Sequence, residues 1–414
     1  MSEPLAPPRK RDPQAVTPPS LLPPDARSRA GHALSAMAAW GELRLQTCAE
    51  CSTVCYPPRD VCPSCLGVDL PWRPIDPRGE IAAASTVRTS IDPYFRRLTP
   101  WPVCTVRLPA GVSVIAHRHG DASCAVNLAP RLDRAGNAAM IALPRQPTPN
   151  MEDDPILREL TAHPRHRRCL VTDGRGATGR AVARALVDAG AARVFVGIAE
   201  GWKPFAGREE LDHERIETVP LDVTDERSVS TLAAEIGGKT DILVNTAERV
   251  RPGGVTDRRG LALTRDEFET NVFGLMRLGQ HFGPVMRARG ADGGDNAVAF
   301  LHVLSVHALA NDARSGFGAF NASQAAALSA LHALRAELRA GGVRVMSVLT
   351  GPPDDEWRAA LPPPKVPPAR LARAVVRALT EGIEQSVVGE TATDLAARWR
   401  ENPGALHKEL ASWV

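Results

Sequence analysis

Four of the eight cysteines fall into two closely spaced pairs. Cys48 and Cys51 form the first Cys-x-x-Cys pair, and Cys62 and Cys65 form the second after ten intervening residues. Two such pairs, facing each other across a hairpin, supply the four thiolates that hold one tetrahedral zinc ion. A catalytic zinc keeps one position open, so four cysteines predict a structural zinc. Empty or redox-active thiols are the alternative interpretation, and Cys55 is interpreted as a spare thiol.

A glycine-rich turn forms the second candidate site. A short apolar run, Cys169–Val171, leads into the turn Thr172–Gly179, and a helical pattern then continues to a stop at Gly190. Glycines allow a phosphate group to approach the backbone, and the N-terminus of a helix attracts negative charge. The pattern therefore predicts the pyrophosphate cradle of a dinucleotide-binding domain. The positions expected to form it are Thr172, Gly174, Gly176 and Gly179.

The segments that follow this turn resemble, in their order, the short-chain dehydrogenase/reductase family over about residues 167–390. The matching segments are Leu221–Thr224, Asp241–Glu248, Asn271–Gly274, the strand ending at Ser305, and Val343–Val348. The resemblance implies a Rossmann-like, doubly wound parallel sheet and an NAD(P) cofactor. The residues that it assigns to the cofactor site are Asp222, Val223 and Asn245. The positions that it assigns to catalysis and that are retained here are Ser305 and Asn271.

The family's Tyr-x-x-x-Lys segment carries the largest departure. In the family the Tyr hydroxyl transfers a proton, and the positive charge of the Lys lowers the pKa of that hydroxyl. Here Phe320 stands at the Tyr position and Gln324 at the Lys position. Phenylalanine has no proton to donate, and the two tyrosines of the chain, Tyr56 and Tyr94, lie far upstream. The pattern indicates a dehydrogenase scaffold that lacks its acid–base centre, which is a pseudoenzyme.

Further departures concern the cofactor. Asp173 and Ala177 replace two glycines of the family's phosphate-binding turn, and Glu248 replaces a glycine that faces the cofactor. The second strand ends in Gly197–Ala199, which offers neither an acidic nor a basic side chain to read the ribose. We therefore expect NAD(P) to bind more weakly than in active relatives.

Two histidines, His302 and His307, lie close to Ser305 in the sequence. Histidine is a common general base near neutral pH. Neither one has a partner carboxylate in the surrounding sequence, so we interpret both as loop or strand-end residues.

Between Trp72 and about Pro147 the chain has short strand patterns that Gly and Pro separate. The runs are Glu80–Ala84, Val103–Leu108, Val112–Ala116 and Ala138–Ala142. Their length and spacing predict a small five-stranded barrel of the OB type.

The cysteine pairs and this barrel together resemble the family of rubredoxin-like zinc ribbons with a C-terminal OB-fold, over about residues 28–148. Besides the cysteines, the matching segments are Tyr56–Arg59, Trp72, Arg78–Ile81, Thr86–Val87, Pro93–Phe95 and Pro100–Trp101. The resemblance implies an accessory subunit that binds acyl-CoA or docks on a thiolase-like partner. OB-folds also bind single-stranded nucleic acid through aromatic platforms. The residues of that alternative surface are Tyr94, Phe95, Arg96, Arg97 and Trp101, and the small formal charge of +3 disfavours it.

Composition and pattern together predict the order of the domains in these 414 residues. The predicted segments are a disordered tail (1–25), a helix with the zinc ribbon (26–74), an OB-fold (75–148), a linker (149–166), the dehydrogenase-like domain (167–400) and a C-terminal segment (401–414). No apolar run is long enough to span a membrane, and no signal pattern opens the chain. We therefore expect a cytoplasmic protein without a membrane partner.

The predicted fold class is α/β with a smaller all-β part. We expect an accessory scaffold of CoA-thioester metabolism that forms homo- or hetero-oligomers with a thiolase-like or dehydrogenase partner. The first alternative is a working NAD(P)-dependent ketoreductase in which Ser305, Asn271 and water replace the tyrosine. The second alternative is a nucleic-acid binder. The leucines of the helix that starts at Phe320 are expected to divide between core and interface, and they are Leu328, Leu331, Leu334 and Leu338.

Overall fold

The computed structural model describes residues 2–7, 21–258, 260–290, 298–312 and 316–412. The chain divides into two compact units. The first consists mainly of Met1–His163, and the second mainly of Pro164–Gly290, Val298–Leu379 and Gln385–Val414. Of the disordered tail predicted for residues 1–25, residues 1 and 8–20 lie outside the described part, and so do the last two residues of the predicted C-terminal segment.

The first unit opens with a helix and a three-stranded antiparallel sheet. The elements are α1 (Arg29–Ala39), β1 (Arg44–Thr47), β2 (Val54–Cys55) and β3 (Trp72–Pro74), with β1 in the middle of the sheet. The helix begins where the Ser28 hydroxyl accepts a hydrogen bond from the Gly31 N–H at 3.1 Å. It ends before Gly41, whose φ of 71° belongs to the left-handed region that favours glycine. The first cysteine pair lies between β1 and β2, and the second lies between β2 and β3.

A closed five-stranded barrel follows. Its elements are β4 (Arg78–Val87), α2 (Pro93–Leu98), β5 (Trp101–Arg107), β6 (Ser113–Arg118), β7 (Ala125–Leu132) and β8 (Ala138–Pro144), in the strand order β4-β5-β6-β8-β7. The sequence patterns identified four of these strands and missed β7. In β7 every second side chain is buried, but Pro130 and Arg131 interrupt the apolar pattern that would have marked it.

The segment predicted as a linker, 149–166, contains ordered structure that packs on the barrel. It includes a 3₁₀ turn at Met151–Asp153 and the helix α3 (Pro155–Glu159). The Asp154 carboxylate starts this helix by accepting hydrogen bonds from two backbone N–H groups at 2.9 and 3.0 Å. Apolar side chains of the segment pack against the barrel, and the buried members of this cluster are Trp101, Ile141, Ile156, Leu157 and Leu160.

The second unit alternates strands and helices. Its first half comprises β9 (Arg168–Val171), α4 (Ala177–Asp188), β10 (Arg193–Ile198), β11 (Ile216–Pro220), α5 (Glu226–Ile236), β12 (Ile242–Asn245) and α6 (Gly260–Phe268). Its second half comprises α7 (Gly274–Gly290), β13 (Ala299–Ser305), α8 (Gly318–Arg339), β14 (Arg344–Thr350), α9 (Pro368–Glu381), β15 (Gln385–Val388), α10 (Glu390–Glu401) and α11 (Pro403–Ala411). Among the described helices, none combines the length and the apolar character that crossing a bilayer requires.

The seven strands form one parallel sheet in the order β11-β10-β9-β12-β13-β14-β15. All of β12 and all of β13 except the half-buried Val303 are buried, as expected for strands that helices cover on both faces. The direction of winding reverses between β9 and β12, which confirms the predicted doubly wound arrangement. In such sheets a ligand crevice forms beyond the carboxyl ends of the strands at the reversal point. The turn after β9 and the loops after β12, β13 and β14 therefore frame the candidate site.

Candidate functional site

The four cysteines predicted to bind zinc lie together. Their sulfur atoms are all within 4.8 Å of one another. The Cys48 and Cys65 sulfurs are 3.5 Å apart, and the Cys51 and Cys62 sulfurs are 3.6 Å apart. Zinc–sulfur bonds of about 2.3 Å in a tetrahedron place the sulfurs about 3.8 Å apart. The cluster therefore fits a tetrahedral zinc ion and offers it four ligands.

The surroundings of the cluster shift the pKa values of its thiols in different directions. Hydrogen bonding with the Thr53 side chain lowers the pKa of Cys51 to about 6. The backbone N–H groups of Cys65 and Ser64 lower the pKa of Cys62. Although the Gly67 backbone N–H lowers it, the pKa of Cys65 is raised to about 12 by hydrogen bonding with the thiols of Cys51 and Cys48 and by burial. The spare thiol, Cys55, is buried in β2, and burial raises its pKa.

In the second unit, a hydrogen-bond network joins the carboxyl ends of β9 and β12. The Thr172 hydroxyl donates to the Asn245 side-chain oxygen at 2.7 Å. The same hydroxyl accepts hydrogen bonds from the backbone N–H groups of Thr246 and Ala247 at 3.0 and 3.2 Å. This network fixes the start of the glycine-rich turn at the point where the winding of the sheet reverses.

The glycine-rich turn encloses its own carboxylate. Asp173 accepts hydrogen bonds from the backbone N–H groups of Arg175 and Gly176, at 2.9 and 3.3 Å. Burial raises the pKa of Asp173, against the opposing effect of these two hydrogen bonds. Two N–H groups that could face a phosphate therefore bind an internal carboxylate. This arrangement does not fit an unmodified pyrophosphate cradle.

Two glycines of the turn are required by packing. A Cβ atom at Gly179 would lie 1.5 Å from the Asp173 carbonyl oxygen, and one at Gly174 would lie 2.4 Å from a Val196 methyl carbon. Real contacts of a Cβ atom are never this short. The turn therefore keeps the close backbone packing of a dinucleotide-binding fold, although it carries the Asp173 carboxylate where the family has a glycine.

Two residues predicted to contact the adenine side of the cofactor, Asp222 and Val223, make hydrogen bonds within the protein. The Asp222 carboxylate accepts hydrogen bonds from the backbone N–H and the hydroxyl of Thr224, at 2.9 and 2.7 Å. Val223 is buried, and its carbonyl accepts a hydrogen bond from Arg277 at 3.2 Å.

Sequence reasoning did not single out Arg175. Its guanidinium donates to the carbonyls of Ala199 and Lys203, at 3.3 and 3.1 Å, and lies 5.1 Å from the centre of the Phe205 ring. A cation therefore lies beyond the end of β10, where ribose recognition occurs in this kind of fold. A basic residue inside the glycine-rich turn was the available signal.

The Ser305 and Gln324 side chains are both buried, and each accepts a hydrogen bond from a backbone N–H group. The Gln324 side-chain oxygen accepts a hydrogen bond from the Ser305 N–H at 2.9 Å. The Ser305 hydroxyl accepts one from the His307 N–H at 3.2 Å and starts the 3₁₀ turn Val306–Ala308. Gln324 thus holds the end of β13, which is a structural role that the sequence did not reveal.

Asn271 lies in a π-helical turn, Glu269–Phe273, a conformation that is frequent at functional sites. Its amide nitrogen donates to the Arg249 carbonyl at 2.9 Å and to the Ser323 hydroxyl at 2.8 Å. The Ser323 hydroxyl in turn donates to the Phe320 carbonyl at 2.8 Å. The retained Asn271 is therefore linked to the backbone of the Phe320 position through Ser323, which sequence reasoning missed.

The Phe320 ring is buried and packs against Val250 and Phe317. The Arg358 guanidinium lies 5.3 Å from the ring centre and forms an ion pair with Glu248 at 2.6 Å. Glu248 therefore has an internal cationic partner. Arg358 comes from the proline-rich region after β14, where no local pattern marks a site residue.

The carboxyl group of Glu267, in α6, is fully buried. One of its oxygens accepts a hydrogen bond from the Arg251 N–H at 3.0 Å, and the other has no hydrogen-bond partner within the described ranges. Burial raises the pKa of Glu267 to about 7. Nothing in the sequence distinguished this glutamate from a surface residue of α6.

The interpretation of His302 as a loop or strand-end residue is wrong. His302 lies at the centre of β13 and is buried, and burial lowers its pKa to about 4. The imidazole is therefore neutral near pH 7 and only weakly basic. His307 lies in the turn after β13, with a ring nitrogen 3.3 Å from the Ala310 carbonyl oxygen.

In the first unit, two members of the aromatic surface considered for the nucleic-acid alternative do not lie at the surface. Tyr94 and Trp101 are buried, at 3% and 4% exposure. The Tyr94 hydroxyl donates to the Glu159 carboxylate at 2.9 Å, and Trp101 donates to a His117 ring nitrogen at 2.6 Å. Neither ring is free to stack on a base. Hydrogen bonding and core packing therefore remove Tyr94 and Trp101 from the surface proposed for the nucleic-acid alternative.

Comparison with known proteins agrees with both halves of this description. The family model for "short chain dehydrogenase" matches residues 167–363, and the model for "ChsH2, rubredoxin-like zinc ribbon domain" matches residues 36–70. The cis-4-hydroxycyclohexanecarboxylate dehydrogenase of Sinomonas cyclohexanicum is 30% identical over 199 residues, which are 47% of this chain and 77% of that protein. The short-chain dehydrogenase PC-15 of Penicillium crustosum is 31% identical over 191 residues, which are 45% of this chain and 65% of that protein.

Among solved structures, a short-chain dehydrogenase from Burkholderia cenocepacia J2315 in complex with NADP is similar at 30% identity and a TM-score of 0.52. The similarity covers 59% of this chain and 97% of that chain. The chain therefore belongs to the short-chain dehydrogenase family. It also carries a rubredoxin-like zinc ribbon, and its four-cysteine cluster is a structural zinc site. The resemblance to the dehydrogenase family is confirmed, and so is the zinc-ribbon part of the N-terminal resemblance.

Proposed function

We propose that this protein is an accessory scaffold of CoA-thioester metabolism whose dehydrogenase domain does not catalyse hydride transfer by itself. The observation that carries the proposal is the pair Phe320 and Gln324. General acid–base assistance contributes roughly 10²–10⁴-fold to such a reaction. Phe320 has no proton to donate, and Gln324 accepts the Ser305 N–H and has no charge.

The glycine-rich turn supports the same proposal. Asp173 binds two backbone N–H groups and places a carboxylate where phosphates are bound in the family. Glu248 adds a second carboxylate at the carboxyl edge of β12 and is paired with Arg358. We infer that NADH and NADPH bind weakly, with dissociation constants above the low-micromolar range. If a nucleotide does bind, Arg175 beyond β10 favours the 2′-phosphate of NADP.

For the first unit, we propose that the closed barrel is of the OB type and that it binds acyl-CoA or a thiolase-like partner. The barrel follows directly after a zinc ribbon of the matched kind. One apolar side chain near α2 is strongly exposed, since Ile91 is 95% exposed. With Tyr94 and Trp101 buried, Ile91 and the exposed Arg96 and Arg97 are the candidates for partner contact.

The helices α7 and α8 support a role in assembly. Phe273, the residue just before α7, is 45% exposed, and Met276, in the first turn of α7, is 54% exposed. Most of the exposed side chains along α8 are small, and these include Ala322, Ala325, Ser329 and Ala333, whereas His332 and Glu337 are larger exposed side chains. Of the four leucines expected to divide between core and interface, Leu331 and Leu338 are buried, and Leu328 and Leu334 are half-buried. We propose that this face contacts a second copy or an active dehydrogenase.

The experiment that tests the catalytic part combines binding and turnover. Calorimetry should show NADPH binding weaker than low-micromolar, and Asp173→Gly should tighten it because two N–H groups become free. The double variant Phe320→Tyr with Gln324→Lys should still lack strong 3-ketoacyl-CoA reductase activity, since Gln324→Lys also removes the acceptor for the Ser305 N–H. Low-micromolar binding by the wild type, or efficient turnover by it, would contradict the proposal.

The partnership is tested with two exposed isoleucines of the barrel. In a complex with a thiolase-like or dehydrogenase partner, encoded next to this protein, Ile91→Asp should reduce partner activity more than Ser305→Ala does. Ile115→Asp, at a residue 69% exposed on β6, is the matched control and should have little effect. If Ser305→Ala abolished turnover while Ile91→Asp had no effect, the chain would be an enzyme in its own right.

The second candidate function is an NAD(P)-dependent oxidoreductase that uses Ser305 and Asn271 without the tyrosine. The observations that favour it are the dehydrogenase relatives and the position of Asn271 in a π-helical turn. Turnover by the isolated chain, lost in Asn271→Ala as well as in Ser305→Ala, would establish it.

A further inference from the structure

A loop after β14 lies over the Phe320 position. Its two ends are joined by a parallel β-bridge between Pro353 and Val366. At this bridge the Asp354 N–H donates to the Val366 carbonyl at 2.9 Å, and the Val366 N–H donates to the Pro352 carbonyl at 2.8 Å. We call residues 353–366 the strap. A loop with pinned ends moves as a unit, so the contacts of its middle decide whether it is closed.

The first contact of the strap is Arg358. Its side chain is only 5% exposed, and its guanidinium donates to Glu248 and to Asp355, each at 2.6 Å. Asp355 belongs to the strap itself, whereas Glu248 belongs to the loop after β12. The guanidinium also lies over the Phe320 ring, 5.3 Å from its centre. Glu248 and the Phe320 ring therefore hold Arg358 from the body of the domain.

The second contact is made by Trp357 and Leu361. The Arg251 guanidinium lies 3.6 Å from the centre of the Trp357 ring. Leu361 packs against the buried cluster of Val250, Phe317 and Phe320. Since Trp357 is 47% exposed, its cation–π contact with Arg251 stabilises the closed strap less than a fully desolvated contact would.

We propose that the strap is a built-in closure of this site, held shut by the ion pair of Arg358 with Glu248, and that a ligand reaches Phe320 only after Arg358 leaves Glu248. The strap crosses the carboxyl edge of the sheet, where ligands bind in doubly wound folds. The proposal goes beyond the proposed function, because it concerns access to the site and holds whether or not the site carries out chemistry.

The charges of Arg358, Glu248 and Asp355 allow the closure of the strap to be weakened without unfolding the domain. One arginine faces two carboxylates, so Glu248→Gln leaves Arg358 paired with Asp355 inside the strap. Removing a partner is most damaging when it leaves a buried charge without compensation, which does not occur here. Asp355→Asn has the opposite effect, since it keeps the ion pair of Arg358 with Glu248. The two variants therefore distinguish a strap held by the body of the domain from a strap held by itself.

The test measures amide hydrogen exchange of residues 353–366 and tryptic cleavage after Arg358 in the full-length, zinc-loaded protein without nucleotide. Glu248→Gln should accelerate both by about tenfold or more. Asp355→Asn should stay close to the wild type. Arg370→Gln, which breaks the exposed ion pair of Arg370 with Glu390 at 2.8 Å, is the control and should also match the wild type.

Wild-type exchange and cleavage in Glu248→Gln would overturn the proposal, and so would equal acceleration in Asp355→Asn. If Glu248→Gln does not fold, Glu248→Asp keeps the charge and withdraws it by one methylene group. Faster exchange of the strap in Glu248→Asp supports the closure, and unchanged exchange overturns it. Neither readout uses a nucleotide, so the outcome is separate from that of the proposed function.

Discussion

At the scale of single residues, the departures from the family pattern are filled by internal contacts. Gln324 accepts the Ser305 N–H, Asp173 accepts two N–H groups of its own turn, and Glu248 pairs with Arg358. Each replaced side chain has therefore become part of the framework. This explains why Phe320→Tyr with Gln324→Lys alone is not expected to restore the site.

Glu267 leads to a prediction about pH. Its pKa is raised to about 7 in the folded protein, against an ordinary value of 4.5. The folded state thus binds the proton more tightly than the unfolded state, so this group's contribution to stability is full below about pH 4.5. As the pH rises through 7 that contribution is lost, and the free energy of unfolding should fall by about 1–3 kcal/mol.

Urea unfolding of the wild type and of Glu267→Gln at pH 5 and pH 8 measures this loss. Glu267→Gln should remove most of the difference between the two pH values. Glu217→Gln, at a largely exposed position on β11, is the control and should keep the wild-type dependence. Identical pH profiles for the wild type and Glu267→Gln would show that the proton on Glu267 is not linked to folding.

At the scale of elements, the zinc ribbon is the part most dependent on a single ion. Its three strands are short, with lengths of 4, 2 and 3 residues. Elements this small cannot bury enough apolar surface to fold alone, so the free energy of metal binding becomes free energy of folding. We expect one zinc per chain, and Cys48→Ser or Cys62→Ser should lose it and lower the melting temperature of the first unit.

Elemental analysis and thermal melting check this expectation. Cys124→Ser is the matched control, because Cys124 is an exposed cysteine outside the cluster and its loss should change neither quantity. A Cys48→Ser protein that is free of zinc but melts like the wild type would contradict the structural role.

Local patterns predicted most of the elements, because apolar periodicity, glycine turns and cysteine spacing can be recognised from residues that are neighbours in the sequence. They missed β7, where Pro130 and Arg131 hide a strand that its pairing with β8 and β4 nevertheless stabilises. They also missed the pairing of Glu248 with Arg358, which are 110 positions apart. Contacts of this kind depend on the closed fold, so no local pattern reveals them. The burial of Tyr94 and Trp101 was hidden for the same reason, since Glu159 and His117 come from other elements.

At the scale of the whole molecule, two folds of different construction share one chain. The first unit is built from a metal cluster and a closed barrel, and the second from a parallel sheet with helices. A barrel has no open edges, and the sheet of the second unit has two, at β11 and β15. Two folds of different construction present different surfaces, which is compatible with the accessory role that we propose.

The strand order of the sheet also bears on how the protein is made. β9, which begins at Arg168, is the first strand of its sheet to leave the ribosome, but it lies between β10 and β12. Its second neighbour begins only at Ile242, so the middle of the sheet stays incomplete while that stretch is translated. Most pairings of the barrel, by contrast, join strands that are close in sequence, which favours fast formation.

We expect arrested nascent chains exposing residues up to Lys239 to contain a protease-resistant barrel and a second unit that is still digested. Protease resistance of both units at that length would contradict this order. The half-made sheet, with the edge of β9 still waiting for β12, is then a stage at which the growing chain is exposed to aggregation and to chaperones.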